Sequence, residues 1–110
     1  MTIVNRTKRV MLSENIKEAK AYQEKKQGLI GSDGKTGLYM QTRWGVHTFG
    51  MTFSIDVMIL DTQNRVVKYK RNLKQNRVFF WNPVYNKIIE IPTALLLEGM
   101  VSVGDEICIS

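Results

Sequence analysis

The sequence predicts a mainly β chain: a compact β-sandwich or barrel with one α-helix, at about residues 15–28, packed on it. Three observations lead there. From residue 38 onward, β-branched and aromatic residues gather in short runs. Turn-forming residues divide those runs at the spacing of roughly 8–12 residues common in sandwiches and barrels. One stretch alone, residues 15–26, is built from Ala, Glu, Lys and Gln, which are strong helix formers. At 110 residues the chain forms one domain, 1–110, without room for a second core. A chain of this size buries roughly 65% of its unfolded surface, enough to fold without disulfides or metals.

In chain order, Ile3, Val4, Val10, Met11 and Leu12 flank the basic turn Asn5-Arg6-Thr7-Lys8-Arg9 and predict a short hairpin or a pair of edge strands. Asn15, with Glu18 three residues on, has capping-box spacing and sets the predicted helix start. Ala19, Tyr22 and Leu29 or Ile30 form its apolar stripe, and Gly28 or Gly31 ends it. Residues 31–37 are a loop. Strands are expected at 38–41, at 46–60 as one long strand, at 66–71, at 78–81 and at 87–91. Pro92 ends the last of these because it has no N–H to donate. Thr93 is a suitable N-cap for a helical turn over 93–98. Gly104-Asp105 then turns the chain into a final strand at 106–109.

Composition narrows the chemistry. Cys108 is the only cysteine and His47 the only histidine, so neither a disulfide framework nor a structural zinc tetrad is available. No metal and no cofactor are expected. Cys108 lies in an alternating strand and reads as a small packed residue. No apolar run approaches the ~18 residues of a membrane span, and the basic N-terminus lacks the apolar core of a secretion signal. A cytoplasmic protein is the expectation. Gly34-Lys35-Thr36 resembles the tail of a phosphate-binding loop, but five residues separate Gly28 from Gly34 where that loop has four. A helix precedes these glycines and a strand follows, the reverse of the order a phosphate loop needs.

Two stretches carry chemistry. In HTFGMTFSIDVMILD, His47 and Asp56 interrupt a run that otherwise reads as buried strand. Strict alternation places His47, Phe49, Met51, Phe53, Ile55 and Val57 on one face and Asp56 on the other. His47 then sits half-buried at the edge of an apolar face. Asp56 accepts backbone or hydroxyl hydrogen bonds, since an unpaired buried charge costs too much. Beside this structural reading stands a polar pocket at one end of the sheet, formed by Arg43, Trp44, His47, Met51 and Asp56, that would take a small anionic ligand. No catalytic residue is assigned. An enzyme with His47 as general base and Asp56 as its orienter needs a β-bulge at Gly50 to bring both side chains to one face.

The second stretch is RVVKYKRNLKQNRVFFW, where Lys68, Lys70, Arg71, Lys74 and Arg77 interleave with Tyr69, Phe79, Phe80 and Trp81. With a net charge of +6, this pattern suits RNA or DNA, bases stacking on the rings and phosphates meeting the cations. A solvated strand face above a packed one produces the same pattern. The RNA-binding Gly-aromatic-Gly-Phe run is absent.

Taken in order, Ala19 through Gly28-Leu29-Ile30-Gly31, Gly45-Val46-His47-Thr48-Phe49-Gly50-Met51, Phe53, Ile55-Asp56-Val57, Leu60-Asp61, Arg65-Val66-Val67, Glu90-Ile91-Pro92 and Val103-Gly104-Asp105 resemble the small bacterial and archaeal family known as domain of unknown function one-nine-two. The resemblance spans about residues 10–109 and is most specific from His47 to Asp61. It implies a β-sandwich or barrel of jelly-roll type crossed by one helix, and it implies no activity. Many members carry a signal peptide or lipid anchor; none is expected here, in line with the cytoplasmic expectation. Ser54 and Gln75 stand where the family usually has proline, and Ala94 where it has glycine. The leading expectation is a non-enzymatic binding module. Nucleic-acid binding through 65–81 is the alternative, and a hydrolase-like enzyme using His47 is the second alternative.

Overall fold

The computed structural model describes residues 1–43 and 45–110. Ile3–Asn5 (β1) and Val10–Ser13 (β2) form the expected N-terminal hairpin, joined on its other side by Ile107–Ile109 (β10) in a sheet of order β10-β1-β2. The larger sheet runs β3-β4-β9-β6-β7, comprising Ile16–Ala19, Gly37–Gln41, Lys87–Pro92, Ile55–Leu60 and Val66–Leu73. Val46–His47 (β5) and Val78–Phe79 (β8) make a separate two-stranded ribbon. β3 and β4 pair in parallel, whereas the other paired strands are antiparallel. Among the described residues none of these sheets closes into a barrel. No helix is long and apolar enough to cross a membrane.

The larger sheet is covered on both faces, so β6 is buried at every position. Its alternate side chains separate cleanly, Met58 and Leu60 entering one apolar cluster and Ile55, Val57 and Ile59 the other. The first cluster is completed by Ile3, Leu12 and Ile107 of the three-stranded sheet and by Leu96 and Val101. The second is completed by Leu29, Val46, Met51 and Trp81. Full burial of a β9 or β6 isoleucine contributes about 1.5–3 kcal/mol, so this central pair anchors the molecule.

Two expected elements form differently. The predicted helix over 15–28 is divided. Residues Ile16–Ala19 are a strand, and the helix α1 spans only Tyr22–Gln27. Helix propensity over those four residues is worth tenths of a kcal/mol each. Ladder bonding to β4 and burial of Ile16 outweigh it. Gly37 permits the pairing, since a Cβ there would stand 2.4 Å from Ile16 Cδ1. The Asn15–Glu18 capping box therefore does not exist, and it is Glu24 whose carboxylate accepts the Ala21 N–H at 2.9 Å. Gly28 ends α1 at φ +56°, as expected of one of the two glycines.

The single strand over 46–60 is also interrupted. Met51 N–H bonds the Thr48 carbonyl, and Gly50 holds φ +84° in the turn between them. Buried Thr48 fixes this turn: its hydroxyl accepts the Arg77 N–H at 2.9 Å, and its own N–H reaches the Arg77 carbonyl. The segment 93–98 contains a 3-10 turn at Thr93–Leu95, but Thr93 is not its N-cap. The Thr93 hydroxyl donates to Asp56 instead, at 2.7 Å.

Candidate functional site

The run Lys87–Pro92 reads KIIEIP, an acid set in an apolar strand. Because β9 lies between β4 and β6, all its side chains except that of Lys87 are buried. Alternation sends Ile89 and Ile91 into the first cluster and Ile88 into the second. Glu90 shares the face of Ile88, beneath α1, with only 2% of its surface exposed. Burial pushes its carboxyl up to about 7. Among the described residues its Oε1 has no hydrogen-bond partner. Gly28 lies directly against it: a Cβ on Gly28 would stand 3.0 Å from Glu90 Oε1. The C-terminal end of the helix thus passes over the acid only because a glycine is there.

Glu90 borders a cleft of about 660 Å³. α1 and its approach supply Lys20, Tyr22, Lys25 and Lys26 to the walls, the end of β4 supplies Gln41 and Thr42, and β5 supplies His47. The His47 ring stacks on Phe49 at 5.5 Å, and its Nδ1 is buried with no partner among the described residues. The cleft therefore combines a cationic wall with two open polar groups. A carboxyl near 7 is divided between its acid and carboxylate forms at neutral pH, so it can donate a hydrogen bond or accept one.

The pocket expected at Arg43, Trp44, His47, Met51 and Asp56 is not assembled. Of the described residues among these five, only His47 lines the cleft. The Arg43 Nε–H donates to the Pro83 carbonyl at 2.8 Å on the exposed side. Met51 is packed in the second apolar cluster, and Trp44 lies outside the described residues. Asp56 sits on the opposite face of the sheet, where its alternation partners Met58 and Leu60 lie. There its carboxylate is saturated. Oδ1 accepts the Asn72 N–H at 3.0 Å and the Thr93 hydroxyl. Oδ2 accepts Arg71 Nη1 at 2.8 Å and the Tyr69 hydroxyl. A β-bulge in β7 opposite Asp56 makes this arrangement possible, for the register slips between Ile55 and Val57. Desolvation first, then the hydrogen bond to Asp56, pushes the Tyr69 phenol up to about 12. Asp56 thus does what its structural reading required, and it cannot orient His47.

The basic segment is dispersed. Lys68 reaches the Phe80 carbonyl at 3.2 Å and lies 4.9 Å over the Phe79 ring. Lys70 and Lys74 are exposed, while Arg71 is committed to Asp56 and to the Leu96 carbonyl. Arg77 bonds carbonyls of its own loop. Of the rings, Trp81 is buried with its indole N–H on the Tyr85 carbonyl, and Phe80 is 63% exposed. Sequence reading missed Glu90 as a site residue. Its signal was available: a lone acid inside the apolar run IIEI.

No protein-family model matches the chain, and comparison with curated proteins finds no match. The fold is similar to that of a crystallised protein of unknown function from Novosphingobium aromaticivorans. The TM-score is 0.78 at 13% identity, over 96% of this chain and 81% of that one. It is also similar to a candidate transcription regulator from Sinorhizobium meliloti, with a TM-score of 0.72 at 10% identity, over 96% of this chain and 88% of that one. At these identities the likeness is one of fold.

Proposed function

We propose that the protein is a small binding domain that takes an organic anion in the cleft beneath α1. The observation that carries this reading is Glu90. An open carboxyl in a strand core costs several kcal/mol, and a leucine or methionine would fill the position without that cost. An unfavourable residue at the wall of a cleft, opposite three lysines and an open imidazole nitrogen, is the pattern expected of a ligand site. The test is an amide-NMR titration with small carboxylates and phosphates on the chain and on Glu90→Leu. Shifts at Gly28, Val46 and Glu90 in the parent chain, absent in a variant that is more stable, support the reading. Equal shifts in both chains would sink it.

Nucleic-acid binding is a second reading. It draws on the net charge of +6, on exposed Lys68, Lys70, Lys74 and Phe80, and on the description of the Sinorhizobium neighbour. It calls for salt-sensitive shifts along β7 with a short RNA or DNA. Membership of the domain of unknown function one-nine-two family belongs to the same proposal. So does the jelly-roll sandwich which that family implies, supported by the two apolar clusters flanking one sheet.

A further inference from the structure

The two sides of the cleft ask for different chemistry. Lys20, Lys25 and Lys26 favour an anion. Glu90 Oε1 and His47 Nδ1 are buried and, among the described residues, have no hydrogen-bond partner, so they call for a group able to donate and accept. A simple anion would satisfy the lysines but stand beside a carboxyl without completing it. A cation would suit a Glu90 carboxylate but meet three ammonium groups. A hydroxyl meets neither objection, since it donates to a carboxylate or an imidazole nitrogen and accepts from a carboxylic acid. Gln41 and Thr42 add further polar groups on the wall. Tyr22, 76% exposed, presents a ring suited to the C–H face of a sugar. About 660 Å³ is far more than inorganic phosphate needs and lies within the range of small-molecule sites.

From these features we infer that the cleft binds a hydroxylated organic anion, a sugar phosphate or a sugar acid, with its anionic group on Lys20, Lys25 and Lys26 and its hydroxyls between Glu90 and His47. The inference rests on the binding reading above and specifies the ligand class for that site. The anionic group sets the affinity, while the buried pair sets the preference for hydroxyls: a polar site left unfilled rejects a ligand lacking the matching group.

Calorimetry and NMR titration of the whole chain decide the matter. Glucose 6-phosphate and ribose 5-phosphate probe the phosphate source, and gluconate probes the carboxylate source. Glucose, inorganic phosphate and acetate are the incomplete controls. At least one hydroxylated anion should bind ten-fold or more tightly than every incomplete control. Which source prevails is read from the phosphate and gluconate arms. Glu90→Leu should remove that advantage, whereas Glu90→Gln, which keeps a donor and an acceptor, should retain most of it. Thermal melting of both variants separates lost binding from lost folding. If inorganic phosphate or acetate binds as tightly as every hydroxylated anion, the hydroxyl inference fails and the anion site stands. If no probe moves the resonances of Gly28, Val46 or His47, both fail.

Discussion

Asp56 and Glu90 are carboxyls of similar burial whose surroundings assign them opposite roles. Asp56 receives four hydrogen bonds, one of them from a guanidinium. Arg71→Ala removes that ion pair and should destabilise the fold by about 3 kcal/mol, since it leaves a buried charge short of its partner. Lys70→Ala, one residue away, should leave the urea midpoint unchanged. Glu90 is buried, and among the described residues its Oε1 has no hydrogen-bond partner. Its carboxyl is raised to about 7 from an ordinary value of 4.5, so the folded state holds a proton that the unfolded chain releases between those values. The stability it contributes is complete below pH 4.5 and is lost as pH rises through 7, on the order of 3 kcal/mol in all. Urea denaturation at pH 4.5 and pH 8 measures the loss, and Glu90→Leu should abolish that part of the slope. Asp105 has the opposite sign. Desolvation raises it, but Lys8, Asn5 and the Ser102 N–H outweigh this and hold it below the usual carboxylate range. Its contribution is present above an ordinary aspartate pKa and is lost as pH falls.

Among the elements, those with strong local signals were legible. The N-terminal hairpin, the strands at 66–71 and 87–91 and the glycine that ends α1 follow from alternation and turn chemistry. The strand at 16–19 was not legible, because a parallel partner twenty-one residues away decides it and the local composition favours a helix. The break after His47 was missed for a related reason. Thr48 is held by the distant loop at 74–77, and period-two alternation carries no sign of that contact. Because the chain turns between His47 and Ile55, period-two alternation does not relate the faces of His47 and Asp56. The candidate site was legible only through His47. Gly28 connects the element to the site. Gly28→Ala must hold φ +56° with a methyl 3.0 Å from Glu90 Oε1, and the left-handed backbone alone costs about 1–2 kcal/mol. A fall in urea stability of about that size or more is expected, together with weakened binding in the cleft.

At the scale of the whole molecule, the larger sheet divides the labour between its faces. One face meets the three-stranded sheet through an apolar cluster and the saturated Asp56 network. The other meets α1 and the β5–β8 ribbon, and on this face the cleft opens. α1 itself buries no residue. It is held through flanking Ala19 and Leu29, 2% and 4% exposed. The cleft therefore has a rigid floor on β9 and a wall of low intrinsic stability, as binding surfaces commonly do.

The strand order of that sheet also bears on how molecules meet one another. β3 and β7 are its outer strands, each bonded to one neighbour in the sheet. Ile16 and Val66, at the start of these strands, are already bonded to Met1 and to Gly104 and Asp105, but the outward backbone groups beyond them could template a second copy, growing a ribbon across molecules. Lys17 and Glu18 on β3, and Lys68 and Lys70 on β7, are all exposed and place charge along both borders. The bulge opposite Asp56 further bends β7. Replacing Lys68 and Lys70 together by valine would leave the core untouched and remove the charge from one border. Light scattering should then report concentration-dependent association in the variant at protein concentrations where the parent chain shows none. Two of the lysines that make this chain look like a nucleic-acid binder would, on that outcome, serve to keep its molecules apart.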